Sequence, residues 1–185
     1  QNILGHDMLM VGLLLCVIPV TMGISSPLAG ALSDRFGTRI ISVIGLLLSL
    51  VGFYAASTMD GQTSTLGYVL RIFPLGLGMG IFHSPNNSAI MGAVPPSHLG
   101  IASGLVSVAR TLGQTVGIAI LGAFWAGRTF YYAGANLGGG ATRAPLTAQI
   151  SALQDTFLMV VGFIAITILL SAWSFFDRTL DQTVR

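Results

Sequence analysis

The sequence is poor in charged residues. It contains no lysine and no glutamate, so its eight basic residues are all arginine and its six acidic residues are all aspartate. Charged residues make up only 8% of the chain, against about a quarter in soluble globular proteins. The net charge of +2 is small, and no basic run is interleaved with aromatic residues. The composition therefore argues against a soluble domain and against nucleic acid as a partner.

The chain also lacks the residue patterns of enzymes and metal sites. Cys16 is the only cysteine, so an internal disulfide is impossible. His6, His83 and His98 are predicted at different depths and cannot share a metal ion. The glycine-rich stretch 134–141 has no preceding strand and no following Gly-Lys-Ser/Thr, so it is not a phosphate-binding loop. We therefore expect no catalytic residues, no metal and no cofactor, and we do not expect an enzyme.

Long apolar runs dominate what is present. The mean hydropathy is +0.82, and the 24 glycines fit the composition of membrane helices. Crossing a hydrocarbon core of about 30 Å takes about 20 helical residues. The runs are too long for strands, and in lipid the remaining choice is a helix. The predicted fold is all-α, a polytopic transmembrane helix bundle with five spans near 8–32, 40–58, 66–92, 99–125 and 155–176.

Arginine positions predict the orientation of the spans. A long glycine-rich connection from Gly127 to about Gln154 is expected between the last two spans. If 33–39 is cytoplasmic, four arginines lie inside and two outside, namely Arg35, Arg39, Arg178 and Arg185 against Arg128 and Arg143. This bias follows the positive-inside rule. We therefore expect the plasma (inner) membrane, with loops 33–39 and 93–98 and the C-terminus in the cytoplasm.

The third span carries a ridge of small residues beside a polar face. The small residues recur every four positions, at Gly76, Gly80, Ser84 and Ser88, a spacing that lets helices approach closely in lipid. His83, Asn86 and Asn87 share a second face, which is costly against lipid. That face should point into the bundle or a wet cavity. A helix-packing role for the histidine and interhelical hydrogen bonds for the asparagines are the simpler alternatives.

The fourth span repeats this arrangement with a charge at its centre. Its small residues are Ala109, Gly113 and Gly117, and its polar face consists of Ser103, Ser107, Arg110 and Gln114. Arg110 lies ten residues after Gly100, or about 15 Å deep. An arginine at that depth costs about 2.5–3.5 kcal/mol on insertion scales and needs a partner. Arg110 is therefore either a structural link between helices or part of a substrate or proton pathway.

The stretch GALSDRFGTR at 30–39 resembles the G-x-x-x-D-R-x-G-R-R signature of the major facilitator superfamily. The matching residues are Gly30, Asp34, Arg35, Gly37 and Arg39, while Thr38 departs from the pattern. Further along, the sequence resembles the P-x-x-x-x-G-x-A-S-G and R-x-x-G-x-x-x-G segments of fourteen-helix drug:proton antiporters. The residues at those positions are Pro95, Gly100, Ala102, Ser103, Gly104, Arg110, Gly113 and Gly117.

The resemblance implies that the chain supplies helices two to six of a C-terminal half. The first helix of that half and the whole N-terminal half would be missing partners. The complete transporter would export small amphipathic drug-like molecules in exchange for protons, by alternating access within a lipid bilayer. Asp34 would lie at the start of the following helix, and Arg35 and Arg39 would latch the cytoplasmic side.

Two other functions remain open at the level of sequence. A superfamily carrier for a metabolite or sugar would have the same fold with a different cargo. A stand-alone five-helix membrane protein with a structural or regulatory role is the third possibility. The helices that would distinguish a drug antiporter from a metabolite or sugar carrier lie outside this chain.

Overall fold

The computed structural model describes residues 8–134 and 140–183, with side chains from 9 to 134 and from 140 to 171. Within these ranges no strand occurs. The α-helices are α1 (Met8–Leu15), α2 (Val17–Phe36), α3 (Thr38–Ser57), α4 (Thr65–Gly92), α5 (Leu99–Ala133) and α6 (Leu146–Thr183). Short 3₁₀ helices at Pro96–His98 and Ala141–Arg143 precede α5 and α6. Counting α1 and α2 as one span, five spans of the described part are long and apolar enough to cross a membrane, which confirms the predicted fold class.

The first span is interrupted at Cys16, between α1 and α2. The backbone N–H of Cys16 donates to Gly12 O at 3.2 Å and to Leu13 O at 3.1 Å, so the last turn of α1 is tightened. Pro19 lies in the first turn of α2, where a missing N–H costs little because those donors have no partner within the helix. The two helices together still form a continuous apolar span, Leu9–Phe36.

The last two helices are longer than predicted, and the connection between them is shorter. α5 continues to Ala133 and α6 begins at Leu146, so the predicted loop over 127–154 was wrong. Hydropathy reports where a helix leaves the membrane, whereas the helix itself continues through residues that are polar but compatible with helical geometry. The 35 residues of α5 extend about 52 Å, more than the hydrocarbon core of about 30 Å.

Small residues hold α4 against α2. The buried positions of α2 recur every four residues, at Thr21, Ser25, Ala29 and Ser33. A Cβ added at Gly76 of α4 would meet the Thr21 side chain, and one added at Gly80 would meet Ser25. Lipid supplies no hydrophobic force between helices, so close backbone approach of this kind is what lets them pack. The predicted ridge at Gly76 and Gly80 therefore lies in a helix–helix contact.

The contact between α3 and α4 depends on Gly45, Gly52 and Gly78, which are not among the predicted packing residues. A Cβ at Gly45 would lie 2.6 Å from the backbone N of Phe82, and one at Gly52 would meet Leu75. From the other side, a Cβ at Gly78 would lie 2.7 Å from Gly45 O. Gly45 and Gly52 are seven residues apart, which is two helical turns. This seven-residue repeat of glycine is the sequence feature that could have predicted the contact.

The second part of the bundle is more open. α6 packs against α3 and α5, whereas α5 makes few contacts with α4. Thr129 is the only residue of α5 that is fully buried, and it lies near the end of the helix. Exposed apolar side chains along the helices are expected where the surroundings are lipid. The exposed face of α5 is different, because it also carries polar residues.

Candidate transport pathway and gating loop

The loop predicted at 33–39 is reduced to one non-helical residue. α2 continues through Phe36, and α3 begins at Thr38, so Gly37 alone turns the chain. Gly37 has φ 89° and ψ 140°, a conformation that residues with a side chain rarely adopt. Its N–H donates to Ser33 O at 2.9 Å, which ends α2. The glycine of the signature is thus required by the backbone at this point.

Asp34 does not lie at the start of the helix that follows. It lies in the last turn of α2, and the N-cap of α3 is Gly37, without a side-chain hydrogen bond. The expectation was wrong because α2 extends four residues beyond the predicted end at 32. A carboxylate at a helix C-terminus faces the negative end of the helix dipole. Asp34 and Arg35 are exposed and make no hydrogen bond or ion pair with any side chain that the structure describes.

The other signature residues connect α2 and α3 to the rest of the bundle. A Cβ at Gly30 would lie 3.2 Å from Ser84 Oγ, so this glycine faces α4 closely. Arg39 Nη2 donates to the backbone oxygen of Ser171 at 3.4 Å, which links α3 to α6. The signature therefore lies on α2 and α3 where they meet α4 and α6, at one end of the bundle.

A cavity of about 430 Å³ opens beside Arg39, between α3, α4 and α6. Its lining combines a guanidinium, hydroxyls and an amide with apolar side chains: Thr38, Arg39, Ser42, Leu46, Phe82, Asn86, Ala89, Thr167 and Ser171. Volume and mixed lining are both typical of sites for small molecules. Asn86, one of the predicted pathway residues, belongs to this cavity.

Arg110 has a hydrogen-bond acceptor on α4. Its Nη2 donates to Asn87 Oδ1 at 3.2 Å. Arg110 lies eleven residues into α5, about 16 Å along the helix axis, which is close to the bilayer centre. The guanidinium charge also acts on His83 of α4. The structure therefore brings Arg110, Asn87 and His83 together, while Asn86 lines the cavity beside Arg39.

The rest of the α5 polar face is open. Gln114 is exposed and makes no hydrogen bond to a described residue, and a Cβ at Gly113 or Gly117 would have nothing within 4 Å among those residues. The hydroxyls of Ser103 and Ser107 donate to backbone oxygens of α5 itself, each at 2.9 Å. Guanidinium and amide groups thus project from a face that no described helix covers.

At the opposite end of the bundle, the structure contains a charged cluster that the sequence reading missed. Arg128 of α5 forms an ion pair with Asp155 of α6, with Nη2 2.6 Å from Oδ2. The Tyr132 hydroxyl donates to the same carboxylate oxygen at 2.8 Å. We call these three residues the α5–α6 clamp. The sequence reading placed Arg128 in a loop, and the four-residue spacing of Arg128 and Tyr132 was the signal that α5 continues.

The turn between α3 and α4 is closed by Asp60. Its Oδ1 accepts hydrogen bonds from the Thr63 hydroxyl at 2.9 Å and from the Gln62 N–H at 3.0 Å. These two bonds, with a smaller contribution from the Arg71 charge, hold the pKa of Asp60 below its ordinary value. Arg71 Nε in turn donates to Thr58 Oγ1 at 3.1 Å, so its guanidinium lies beside this turn, at the N-terminal end of α4.

The geometry defines a polytopic helical membrane protein with a polar face at mid-depth and a glycine-hinged charged turn at one end. In the part of the chain that the structure describes, no group of three or more His, Cys, Asp and Glu residues could hold a metal ion. Residues 1–183 match the Major Facilitator Superfamily, and the chain belongs to that superfamily. It is therefore an integral membrane protein of a transporter family rather than an enzyme.

Named relatives agree with this class. The chain is 33% identical over 184 residues to a triacylglyceride transporter of Mycolicibacterium smegmatis, covering 88% of this chain and 32% of that protein. It is 30% identical over 179 residues to the riboflavin transporter RibZ of Clostridioides difficile, covering 95% and 37%. It is 31% identical over 122 residues to the multidrug resistance protein Stp of Mycobacterium tuberculosis, covering 66% and 22%. The chain thus spans between 22% and 37% of the length of these relatives.

Proposed function

We propose that this chain forms helices two to six of the C-terminal half of a secondary transporter that exports small amphipathic drug-like molecules in exchange for protons. The observation that carries the proposal is Arg110, which lies at mid-depth on an exposed face of α5 and donates to Asn87. A charge there is too costly to face lipid, so that face borders protein or a wet pathway. Alternating access would open the pathway to each side in turn.

The pathway residues have distinct roles in this proposal. Arg110 and Gln114 project into the pathway, and Asn87 orients the guanidinium through its amide oxygen. His83 lies near Arg110 and is the local candidate for carrying a proton, because an imidazole can take up and release one. Asn86 lines the cavity beside Arg39 and would contact cargo or close the pathway at that end.

The missing partners in this proposal are the first helix of the same half and the N-terminal half. Two observations support this. Among the residues that the structure describes, the ridge at Gly113 and Gly117 has open space where a helix could pack closely. The relatives are also roughly three times as long as the matched region. The polar face of α5 would then border the central pathway between the two halves.

The names of the relatives point to three cargo classes, and the triacylglyceride transporter, which matches 88% of this chain, supports a strongly apolar cargo. The multidrug resistance protein Stp supports drug-like cargo. The riboflavin transporter RibZ matches 95% of this chain and supports a second candidate, a metabolite carrier on the same fold. Few charged side chains line the described helices, which suits amphipathic cargo better than highly charged metabolites.

The gating loop would act as a hinge and latch at the cytoplasmic side. It consists of the signature residues Gly30, Asp34, Arg35, Gly37 and Arg39. Gly30 and Gly37 provide the close approach and the turn, Arg39 reaches α6, and Asp34 and Arg35 are exposed for contact with the missing half. Arginines at this end support placing 33–39, 93–98 and the C-terminus in the cytoplasm of a plasma (inner) membrane. Asp34→Asn should reduce transport several-fold while membrane insertion stays unchanged.

The full-length protein that contains this chain should be reconstituted in liposomes with an imposed proton gradient. Proton movement is then followed by a pH-sensitive dye while a cationic amphipathic dye, riboflavin and a triacylglyceride are added in turn. The proposal predicts proton release driven by the amphipathic dye. Movement driven by riboflavin alone would support the metabolite carrier, and movement driven by the triacylglyceride alone would contradict drug-like cargo in favour of lipid. No movement with any cargo would contradict the proposal and the metabolite carrier alike.

A further inference from the structure

We propose that the cavity beside Arg39 binds the phosphate headgroup of one anionic phospholipid, taken from the leaflet at the gating-loop end of the bundle. The cavity of about 430 Å³ lies between α3, α4 and α6. Arg39 is the one charged group among its described lining residues, which include no aspartate and no glutamate. Because no carboxylate in that lining offsets the guanidinium, the cavity favours a ligand that carries a negative charge.

The lining of the cavity changes from polar to apolar with depth. α3 has 20 residues and is about 30 Å long, which equals the thickness of the hydrocarbon core, so its first residues lie at the membrane surface. Thr38 and Arg39 lie at this level, whereas Leu46 lies about 12 Å further along the axis. On α4, Phe82 lies about 15 Å before the end of the helix. This order matches a phospholipid, whose phosphate lies at the surface and whose acyl chains lie below it.

Each of the three helices adds a neutral hydrogen-bond donor to the cavity. The side chains of Thr38 on α3, Asn86 on α4 and Ser171 on α6 make no hydrogen bond to a described residue. The hydroxyls of Ser42 and Thr167, in contrast, already donate to backbone oxygens of their own helices, at 2.8 and 2.9 Å. A phosphate in the cavity can therefore accept hydrogen bonds from three helices as well as from the guanidinium.

The contact of Arg39 with α6 is compatible with a bound phosphate. Arg39 Nη2 donates to Ser171 O at 3.4 Å, which is longer than the usual N–H···O distance of about 2.7–3.2 Å. A guanidinium carries several N–H donors in a planar fork and binds phosphate through two of them in parallel. The long bond to Ser171 O can therefore remain while the same guanidinium binds an anion.

The cavity and the Arg110 site lie on different sides of α4. Asn86 lines the cavity, whereas Asn87, which points about 100° away from it, accepts the hydrogen bond from Arg110. Ala89 and Thr167 of the cavity lining are exposed, so a headgroup can enter from outside the bundle. In the proposed function Asn86 contacts cargo or closes the pathway, and a bound lipid corresponds to the second of these roles.

Native mass spectrometry of the delipidated full-length protein measures the binding of single lipid molecules. Dioleoylphosphatidylglycerol is the anionic probe. Dioleoylphosphatidylcholine has the same phosphate and acyl chains but carries an additional cation, so it is the comparison. We expect the anionic lipid to bind at least about threefold more tightly, because the Arg39 charge favours a net negative ligand and no carboxylate of the described lining receives the cation.

Three variants test the site. Arg39→Gln should weaken phosphatidylglycerol binding about tenfold and remove its preference over phosphatidylcholine, since hydrogen bonds from a charged group are lost. Arg71→Gln is the matched control, because Arg71 lies near the opposite end of the bundle, and it should leave both affinities unchanged. Ala89→Trp fills the cavity from an exposed position while the charge remains, so it should weaken the binding of both lipids. Unfolding temperatures without added lipid identify the variants that are folded.

Equal affinity of the wild type for the two lipids would overturn the proposal, as would a preference that survives Arg39→Gln or is lost equally in Arg71→Gln. If Arg39→Gln does not fold, unchanged lipid binding in Ala89→Trp overturns it instead. Displacement of phosphatidylglycerol by inorganic phosphate would indicate a site for free anions, and displacement by a cationic amphipathic dye would indicate a site for cargo. Either displacement contradicts a lipid site. The measurement involves no transport, so its result is independent of the proposed drug export.

Discussion

Two regions of this molecule carry the same pattern of small residues, but only one of them is packed. The closed region is where α4 lies against α2 and α3, and the open region is the exposed face of α5. At the α2–α4 contact, Gly76 and Gly80 lie against Thr21 and Ser25 so closely that a Cβ would collide. On α5, Gly113 has the same helical spacing to its neighbours and open space around it among the described residues. A small-residue ridge therefore indicates a contact, and it does not say which helix makes it.

The long polar side chains distinguish the two regions. In α2, the Thr21 and Ser25 hydroxyls donate to backbone oxygens of their own helix, and the Ser26 hydroxyl donates to Gly80 O of α4 at 3.3 Å, so these short polar groups are satisfied within the contact. The α5 serines do the same, but Arg110 and Gln114 extend beyond the backbone and cannot be satisfied in this way. A ridge without such residues suits packing alone, whereas a ridge beside them suits the border of a polar pathway.

The largest expected effect comes from filling the closed region. Gly78→Val places atoms against the α3 backbone, where a Cβ would already lie 2.7 Å from Gly45 O. We expect a loss of about 1–3 kcal/mol or more of stability, or failure to fold, because backbone cannot move aside as a side chain can. Thermal unfolding of the purified full-length protein in detergent measures the loss.

Gly23→Val is the matched control for that substitution. Gly23 lies on α2, and a Cβ there would have nothing within 4 Å among the described residues. Its unfolding temperature should stay close to that of the wild type. Equal losses for the two variants would mean that glycine is needed along the whole bundle, and the distinction between closed and open regions would fail.

The next effect tests the open region through its charge. Arg110→Ala should reduce transport at least about tenfold, the equivalent of about 1.4 kcal/mol, with little change in unfolding temperature. Arg71→Ala is the control, because Arg71 is held at the end of α4 by Thr58. Transport rates in liposomes measure both. Similar losses for the two variants would show that the depth of the charge is irrelevant.

A smaller effect is expected at the partner of Arg110. Asn87→Ala removes the amide oxygen 3.2 Å from Nη2 and should lower transport about threefold, since hydrogen bonds between membrane helices contribute about 0.6 kcal/mol on average. The double variant with Arg110→Ala should be no worse than Arg110→Ala alone. Additive losses in this cycle would show that the two residues act separately.

The smallest effect is expected in the exposed turn of the closed region. The pKa of Asp60 is lowered in the folded protein, mainly by the Thr63 hydroxyl, so the ionised form stabilises the turn at pH values above the unfolded pKa of about 3.9. That contribution disappears as pH falls through the lower, folded pKa. The difference in unfolding temperature between wild type and Asp60→Asn should therefore be present at neutral pH and vanish in strong acid. A difference that grows in acid would contradict the assignment.

Much of the fold could be predicted because each membrane span is a contiguous apolar run in the sequence. The five spans follow from run length, and the residues of 30–39 pointed to the superfamily to which the chain belongs. Helix ends were less predictable. α2 passes through Asp34 and stops only at Gly37, because a polar residue does not end a helix whereas a positive φ does. For the same reason, the prediction ended α5 too early and began α6 too late.

The sequence by itself determined that this protein is a helical membrane bundle, since a backbone in lipid must satisfy its hydrogen bonds within each apolar run. The tertiary structure decided which polar groups meet. Asn86 and Asn87 are neighbours in sequence, yet one lines the cavity beside Arg39 and the other accepts a hydrogen bond from Arg110. Successive residues on a helix point about 100° apart, so their partners depend on which helices lie alongside. The Arg128–Asp155 pair arises for the same reason, because two helices must both extend and pack before the charges can touch.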